Sequence, residues 1–403
     1  MKIAHLIPQF YPYFGGAEVC IHNVCESLVR AGHEPVVITT TPPPEVEAPF
    51  KYEIVHLSKR TGGLFRRFPL LGKMYLVNRL ASLQKKYKFD LWQVTMGYPA
   101  GMYSVDFFRK RKIPCILRCC GDDIQKYPEI NYGYRLDPAI DALAIEKYPK
   151  FNGLVALTPS VKKEYLELGI DENRIRIIPN GVNVARFAES RTESVKKKVF
   201  SELGIGDSEK LILTVGRYHP KKGYELIPAI AAKLKEKGIK FKWVIAGKAA
   251  GLINEKFPDA ASLGIVTLEK FAGLQADFFS LPSQGLVDLY CAADIFVLPT
   301  LIETFGMVLV EAMAAGLPIV TTEAPGVTDV INHGVNGLKM PVGDTDSMAD
   351  AIAGMFHDRD TASRLSATAL KEAETKYDWK NVTSRYLEFY EDVLSGSKGG
   401  NIR

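Results

Sequence analysis

Two carboxylates stand eight residues apart in Glu303-Thr304-Phe305-Gly306-Met307-Val308-Leu309-Val310-Glu311, just after an apolar run that ends at Pro299. On one continuous helix, eight steps would set them roughly 80° apart around the axis at 3.6 residues per turn. A simpler placement puts Glu303 in a loop and Glu311 two turns along the helix. The amides of Phe305, Gly306, Met307 and Val308 are then free at the helix start. Carboxylates in that place accept from hydroxyls, and free amides hold anionic oxygen; a nucleotide sugar carries both kinds of group. The alternative is a surface helix with two solvated glutamates, although the sequence around both is apolar.

Two glycine-containing loops could hold phosphate. Gly216-Arg217-Tyr218-His219-Pro220-Lys221-Lys222-Gly223 follows the apolar run Leu211–Val215. An arginine fork grips phosphate bidentately and a lysine adds a mobile point charge, so Arg217 and Lys222 suit a diphosphate. The other reading is an exposed basic turn. Near the start, Tyr13-Phe14-Gly15-Gly16-Ala17-Glu18 joins a short apolar run to a helical pattern. Gly15 and Gly16 would let backbone amides at a helix N-terminus approach an anion, or would simply make a tight turn. The full Gly-x-Gly-x-x-Gly fingerprint is absent, which counts against a nicotinamide enzyme.

These loops need a frame, and the chain spells one out. Short apolar runs at Ile3–Ile7, Pro35–Thr39, Leu91–Thr95, Cys115–Arg118 and Leu154–Leu157 alternate with amphipathic patterns, one carrying Ile21, Val24, Cys25 and Leu28 on a single face. The alternation restarts with Leu211–Val215, Phe241–Ala246, Ile295–Leu298 and Ile319–Thr321, with helices near Glu225–Lys237 and Val308–Ala315. Strands alternating with helices imply right-handed crossovers and parallel sheets. The expected fold is α/β, two doubly wound Rossmann-like domains facing a central cleft. Their loops at the carboxyl ends of the strands would carry the motifs. The change-over falls near Ile178-Pro179-Asn180-Gly181-Val182-Asn183, where Asn-Gly signals a turn.

Taken together, Gly15-Gly16, Asn180-Gly181-Val182-Asn183, Gly216-Arg217…Lys222-Gly223 and the Glu-x7-Glu pair of Glu303 and Glu311 resemble the retaining, GT-B-fold glycosyltransferases of family 4. The resemblance runs through nearly the whole chain, to Tyr377-Asp378-Trp379 and a last helix. It implies an acceptor-side domain over 1–185, completed by a crossover helix at about 378–395, and a donor-binding domain over 186–377. It further implies that Arg217 and Lys222 hold the donor diphosphate, Glu311 the ribose hydroxyls, and Glu303 the transferred sugar and its positive transition state. Gly216, Phe305, Gly306, Met307 and Val308 would line the donor, and Gly16 would let the first domain close on the diphosphate. Retention is attributed in this family to same-face attack with the leaving phosphate taking the acceptor's proton, so no protein nucleophile is expected. The implied donor is a nucleoside-diphosphate hexose, with no further cofactor and no metal, and the acceptor a glycan or lipid-linked molecule. A nucleotide-sugar 2-epimerase and a non-catalytic nucleotide-sugar-binding protein share the architecture and remain alternatives. Base selection would fall to loops such as Phe271–Gln284. One position departs from the family: where many relatives carry a His before Gly, this chain reads Arg118-Cys119-Cys120-Gly121. Cys120 reads as a packed small residue, since no activating base is near it in sequence.

The rest of the sequence narrows the class. With 403 residues, 47% hydrophobic and 24% charged, the chain has globular composition, and with a net charge of +5 and no basic tail no nucleic-acid partner is expected. No apolar stretch spans a bilayer and no signal-peptide pattern opens the chain, so a cytoplasmic protein is expected. Cys20, Cys25, Cys115, Cys119, Cys120 and Cys291 show no metal spacing and read as buried thiols. Asp344-Thr345-Asp346 has a metal-binding pattern but precedes a helical run, where it reads as a cap. Trp92, Trp243 and Trp379 read as core. Finally, Lys59 to Lys88 holds Lys59, Arg60, Arg66, Arg67, Lys73, Arg79, Lys85, Lys86 and Lys88 with no acid, interleaved with apolar residues. That stretch suits either the inner face of an anionic membrane or an ordinary solvated helix with one face on the sheet.

Overall fold

The computed structural model describes residues 1–12, 15–43, 50–57, 67–269 and 282–398. Tyr13, Phe14, the part of the basic stretch from Lys59 to Arg66, and residues 271–281 of the base-selection loop lie outside these. The chain forms two compact units: Met1–Asn180 with Trp379–Arg403, and Gly181–Asp378.

In the first unit seven strands form one parallel sheet: β1 (Lys2–Ile7), β2 (Glu34–Thr39), β3 (Glu53–His56), β4 (Leu91–Thr95), β5 (Cys115–Arg118), β6 (Gly153–Ala156) and β7 (Ile175–Ile177), in the order β3-β2-β1-β4-β5-β6-β7. The central strands are covered on both faces, which is why they read as unbroken apolar runs. One face is closed by the helices Gly16–Arg30 and Trp379–Lys398. Cys20, Val24 and Leu28 of the first pack with Val382, Tyr386, Phe389 and Tyr390 of the second over Ile3, Leu91, Ile116 and Val155. Those positions recur three and four apart along each helix, one buried stripe apiece. On the other face, Leu76, Leu80 and Leu83 of the helix Pro69–Tyr87 pack with Trp92, Val105 and Phe108. The start of that helix behaves otherwise: Phe68, Leu70, Leu71 and Met74 are exposed at 53%, 71%, 52% and 56%.

The second unit repeats the plan with β8 (Lys210–Val215), β9 (Phe241–Ala246), β10 (Ile265–Leu268), β11 (Ile295–Leu298), β12 (Ile319–Thr322) and β13 (Leu338–Met340), in the order β10-β9-β8-β11-β12-β13. Both orders reverse direction beside the first strand, between β1 and β4 and between β8 and β11. That reversal opens a crevice at the carboxyl ends of the strands, where doubly wound sheets bind ligands.

Four strands escaped the sequence reading. β3, β7, β10 and β13 are the edge strands of the two sheets, three or four residues long, and their burial is partial. A half-covered short strand has no continuous apolar run to betray it. Trp92 and Trp243 are fully buried and Trp379 partly so, packed against the first unit's core. Asp344 caps the helix Thr345–His357, its carboxylate accepting from the Ser347 amide at 3.0 Å.

Candidate functional site

The loops after β8 and β11 flank the crevice of the second unit, and they are tied together by backbone. The Lys221 carbonyl accepts from the Leu301 amide and from the Thr300 hydroxyl, both at 2.7 Å. Gly223 sits at φ +64 with so little room that a Cβ would stand 1.9 Å from the Pro299 carbonyl oxygen. Behind Glu303, Gly326 is equally confined: a Cβ there would stand 2.0 Å from the Glu303 carbonyl oxygen. The amide of Glu303 donates to the Pro325 carbonyl at 2.9 Å. Glu303 is therefore held by its main chain before its side chain makes any contact.

The side chains then converge. Lys222 Nζ, itself partly exposed, forms an ion pair with Oε1 of the buried Glu303 carboxylate. Glu311 lies in the second turn of the helix Met307–Ala315, and Glu303 in the loop before it. Its Oε2 accepts from the Tyr290 hydroxyl at 2.8 Å. Burial pushes the Glu311 carboxyl up to about 7, while the Tyr290 bond and the Lys222 charge pull the other way. Lys222 thus acts electrostatically on both carboxylates. Gly306 caps the helix at φ +77, and among the described residues no side chain caps the amides that follow. Phe305 turns its ring inward, edge-on to Tyr377 at 5.8 Å, so only its backbone is available to a ligand. Arg217 is exposed on the β8 loop, and Gly216 precedes it. The structure brings Lys222, Glu303 and Glu311 together and leaves Arg217 at the surface of the same loop.

Gly15 and Gly16 belong to the first unit. Gly15 precedes the helix Gly16–Arg30, and a Cβ on it would stand 2.5 Å from Glu18 Oε2. The space it leaves is thus filled by a carboxyl of the next turn. Burial raises the Glu18 pKa, partly offset by its backbone hydrogen bond and by Arg118. Arg118 is buried and fans out to three partners: the Tyr386 hydroxyl at 3.1 Å, Cys120 Sγ at 3.0 Å and Asn180 Oδ1 at 2.5 Å. Burial pushes the Cys120 thiol up to about 12 despite that guanidinium. At neutral pH it is a thiol and an acceptor for Arg118, consistent with packing and not with nucleophilic attack.

The sequence pointed to none of Tyr290, Tyr224, Thr300 or Gly326. Tyr290 meets Glu311 across 21 residues, and Tyr224 buries an unpartnered hydroxyl, among the described residues, where a side chain on Gly216 would stand. Such pairings depend on tertiary placement. Only the glycine at 326, next to Pro325, carried a local hint of a turn.

Comparison with known proteins matches this division. The second unit's sequence fits the model for glycosyl transferases group 1 over residues 195–372, and the first fits that for glycosyltransferase family 4 over residues 14–186. An uncharacterized glycosyltransferase of Methanocaldococcus jannaschii is 30% identical over 98% of this chain and 99% of its own length. The chain belongs to glycosyltransferase family 4. A phosphatidyl-myo-inositol mannosyltransferase of Mycobacterium leprae is 31% identical over 62% of each chain. The crystal structure of an Anabaena protein in complex with UDP-glucose shares the GT-B fold, with a TM-score of 0.74 and 18% identity over 97% of this chain and all of that one. The transferase therefore has its Lys222–Glu303–Glu311 cluster at the switch point of a GT-B sheet. Among its described residues no group of three or more His, Cys, Asp or Glu is placed to hold a metal ion, and no helix is long and apolar enough to cross a membrane.

Proposed function

We propose that this transferase moves a hexose from a nucleoside-diphosphate sugar to a glycan or lipid-linked acceptor, with retention of configuration and without a metal. The observation that carries the reading is the Lys222–Glu303 pair with Glu311 beside it, at the β8–β11 crevice. Lys222 and Arg217 take the diphosphate, with the uncapped amides at Met307 and Val308 adding donors for anionic oxygen. Glu311 accepts from the ribose hydroxyls. Glu303, held by its backbone and by Lys222, faces the sugar and supports the positive charge that develops there. Catalysis is then positioning plus electrostatic support of the departing diphosphate, with no side chain asked to act as nucleophile. The UDP-glucose held by the Anabaena protein supports the donor class.

The test is transfer from UDP-, GDP- and ADP-hexoses to a glycan panel, with the product's anomeric configuration read by NMR. The expected product keeps the donor's configuration and forms equally in EDTA. Inversion would overturn the same-face mechanism. Loss in EDTA with rescue by manganese would overturn metal independence. Consumption of donor without any acceptor product would favour the epimerase.

A lipid-linked acceptor has its own support. Phe68, Leu70, Leu71 and Met74 are exposed beside Arg67 and Lys73, apolar side chains among cations with no acid near them in sequence. That composition suits the interface of an anionic bilayer, where each basic residue gains about 1 kcal/mol. Co-sedimentation with anionic but not zwitterionic liposomes is expected, weakened by 1 M salt as the Debye length falls to ~3 Å. A Leu70→Ser, Leu71→Ser variant should bind liposomes less while keeping its nucleotide affinity. Indifference of the wild type to anionic liposomes at low salt would make a soluble acceptor the better reading.

A further inference from the structure

Glu311 is held from one side. Its helix carries no other ionisable group, and among the described residues Tyr290 is the only side chain that donates to its carboxylate. Tyr290 lies on the helix Gln284–Ala292, fully buried, edge-on to Phe187 at 5.9 Å and tilted against Phe296 at 5.6 Å. Ring packing on both flanks fixes the direction of the hydroxyl, which also lies 3.4 Å from the Val308 carbonyl in the helix's first turn. A buried tyrosine needs a partner for its hydroxyl. This one has a carboxylate whose other oxygen is left for a ligand.

We propose that Tyr290 is a positioning residue for the donor: through Glu311 it fixes the carboxylate that receives the ribose hydroxyl pair, and it holds that carboxylate in its charged form. This rests on the reading of Glu311 as the ribose ligand. Hydrogen bonds to an ionised acceptor are roughly twice as strong as neutral ones, so the charge state decides how well the diol is held.

The other groups around Glu311 are accounted for. Lys222, from the loop after β8, favours the carboxylate and is itself paired with Glu303. Tyr224 lies close enough to Tyr290 to act on it and is neutral, its hydroxyl pushed far above its ordinary value by burial. On the elements packed against the helix Met307–Ala315, Asp288 accepts from Ser190 and Gln284, Arg186 donates to the Pro282 carbonyl, and Glu372 accepts from Asn336. Each is engaged elsewhere, leaving Tyr290 and Lys222 to offset the effect of burial.

The sign of the pH dependence follows. Burial holds the free carboxyl near 7, so it is increasingly protonated below that pH and charged above it. A bound ribose favours the charged form, so binding releases a proton in acid and the ribose contribution to affinity rises with pH through about 7. A nucleoside diphosphate has a terminal phosphate that itself titrates near ~6. The 2′,3′-dideoxy nucleotide has the same phosphate and no diol, so the ratio of the two affinities isolates Glu311.

The experiment is calorimetry of the full chain with UDP and 2′,3′-dideoxy-UDP, and the guanosine pair alongside, from pH 5.5 to 9. The wild type should prefer the ribo ligand increasingly as pH rises through about 7. Tyr290→Phe should lower that preference by about tenfold at pH 7, the loss of one hydrogen bond to a charged group, and move its midpoint to higher pH. Dideoxy affinity should hold. Site-specific 3-fluorotyrosine at 290 keeps the shape and makes the hydroxyl a stronger donor, so it should move the midpoint to lower pH. This variant decides the matter if Tyr290→Phe does not fold. Unchanged preference and midpoint in either folded variant, with Glu311→Gln losing the preference, overturns the role of Tyr290 alone. Full preference in Glu311→Gln overturns the ribose assignment and the inference with it.

Discussion

Lys222→Ala is expected to damage stability and donor binding together. The lysine neutralises a buried carboxylate; removing one partner of a fully buried pair costs about 3–5 kcal/mol, and a smaller loss is expected here because Lys222 is partly exposed. It also removes a cation assigned to the diphosphate, and a charge-assisted bond contributes about 1.5–3 kcal/mol. Nucleoside-diphosphate affinity should therefore fall tenfold or more. The double variant Lys222→Met, Glu303→Gln separates the two effects, since it removes both charges and fills the space. Its thermal midpoint should return most of the way to wild type while nucleotide binding by calorimetry stays weak. If nucleotide binding survived in Lys222→Ala, with only stability lost, Lys222 would be a structural partner of Glu303, and the diphosphate would have to be held elsewhere.

Gly223→Ala should be nearly as harmful, for a reason that involves no charge. The added methyl would stand 1.9 Å from the Pro299 carbonyl oxygen in a backbone conformation, φ +64, that alanine adopts only under strain. The loops after β8 and β11 would have to separate. Those loops carry Lys222 and Glu303 and are stitched through the Lys221 carbonyl. A displacement of about 1 Å in catalytic groups can cost on the order of 10²-fold in rate. Gly238 provides the control: its φ is +74, yet nothing lies within 4 Å of where its Cβ would go. Gly238→Ala should cost about 1–2 kcal/mol of stability from the strained backbone and leave turnover intact. Equal activity in the two variants would mean that the close approach at Gly223 does not set the site's geometry.

The comparison of these two glycines illustrates what could be read from the sequence. The motif around Gly223 was visible as a phosphate loop, but its contact with Pro299 joins segments 76 residues apart and leaves no local trace. Central strands were legible because burial on both faces writes an apolar run, and β4, β5, β9 and β11 fall at the residues the pattern marks. Edge strands such as β7 and β13 were not, because they are short and only partly covered. Glu303 and Glu311 could be singled out by their apolar surroundings, and both are drawn into the structure as that pattern suggested. The partner of Glu303 was already named in another motif, whereas the partner of Glu311 was not. Tyr290 sits in an apolar helix where a tyrosine is simply one more core residue, and only the fold turns its hydroxyl toward the carboxylate. At Gly15 the sequence suggested an opening for phosphate, and the structure fills it with the carboxyl of Glu18.

The split of the first unit across both ends of the chain bears on how the protein is made. The helix Trp379–Lys398 covers Ile3, Leu91, Ile116 and Val155, yet it leaves the ribosome only after the whole second unit. Between Asn180 and Trp379 the ribosome adds about 200 residues, which takes ~10–40 s at cellular rates of synthesis. Throughout that interval one face of a finished parallel sheet waits with a strip of apolar surface uncovered. The second unit, being continuous, has all its residues before the first is complete. The nascent chain therefore passes through a long-lived stage with one whole unit and one sheet still partly uncovered, and a premature stop shortly before Trp379 would make that stage permanent.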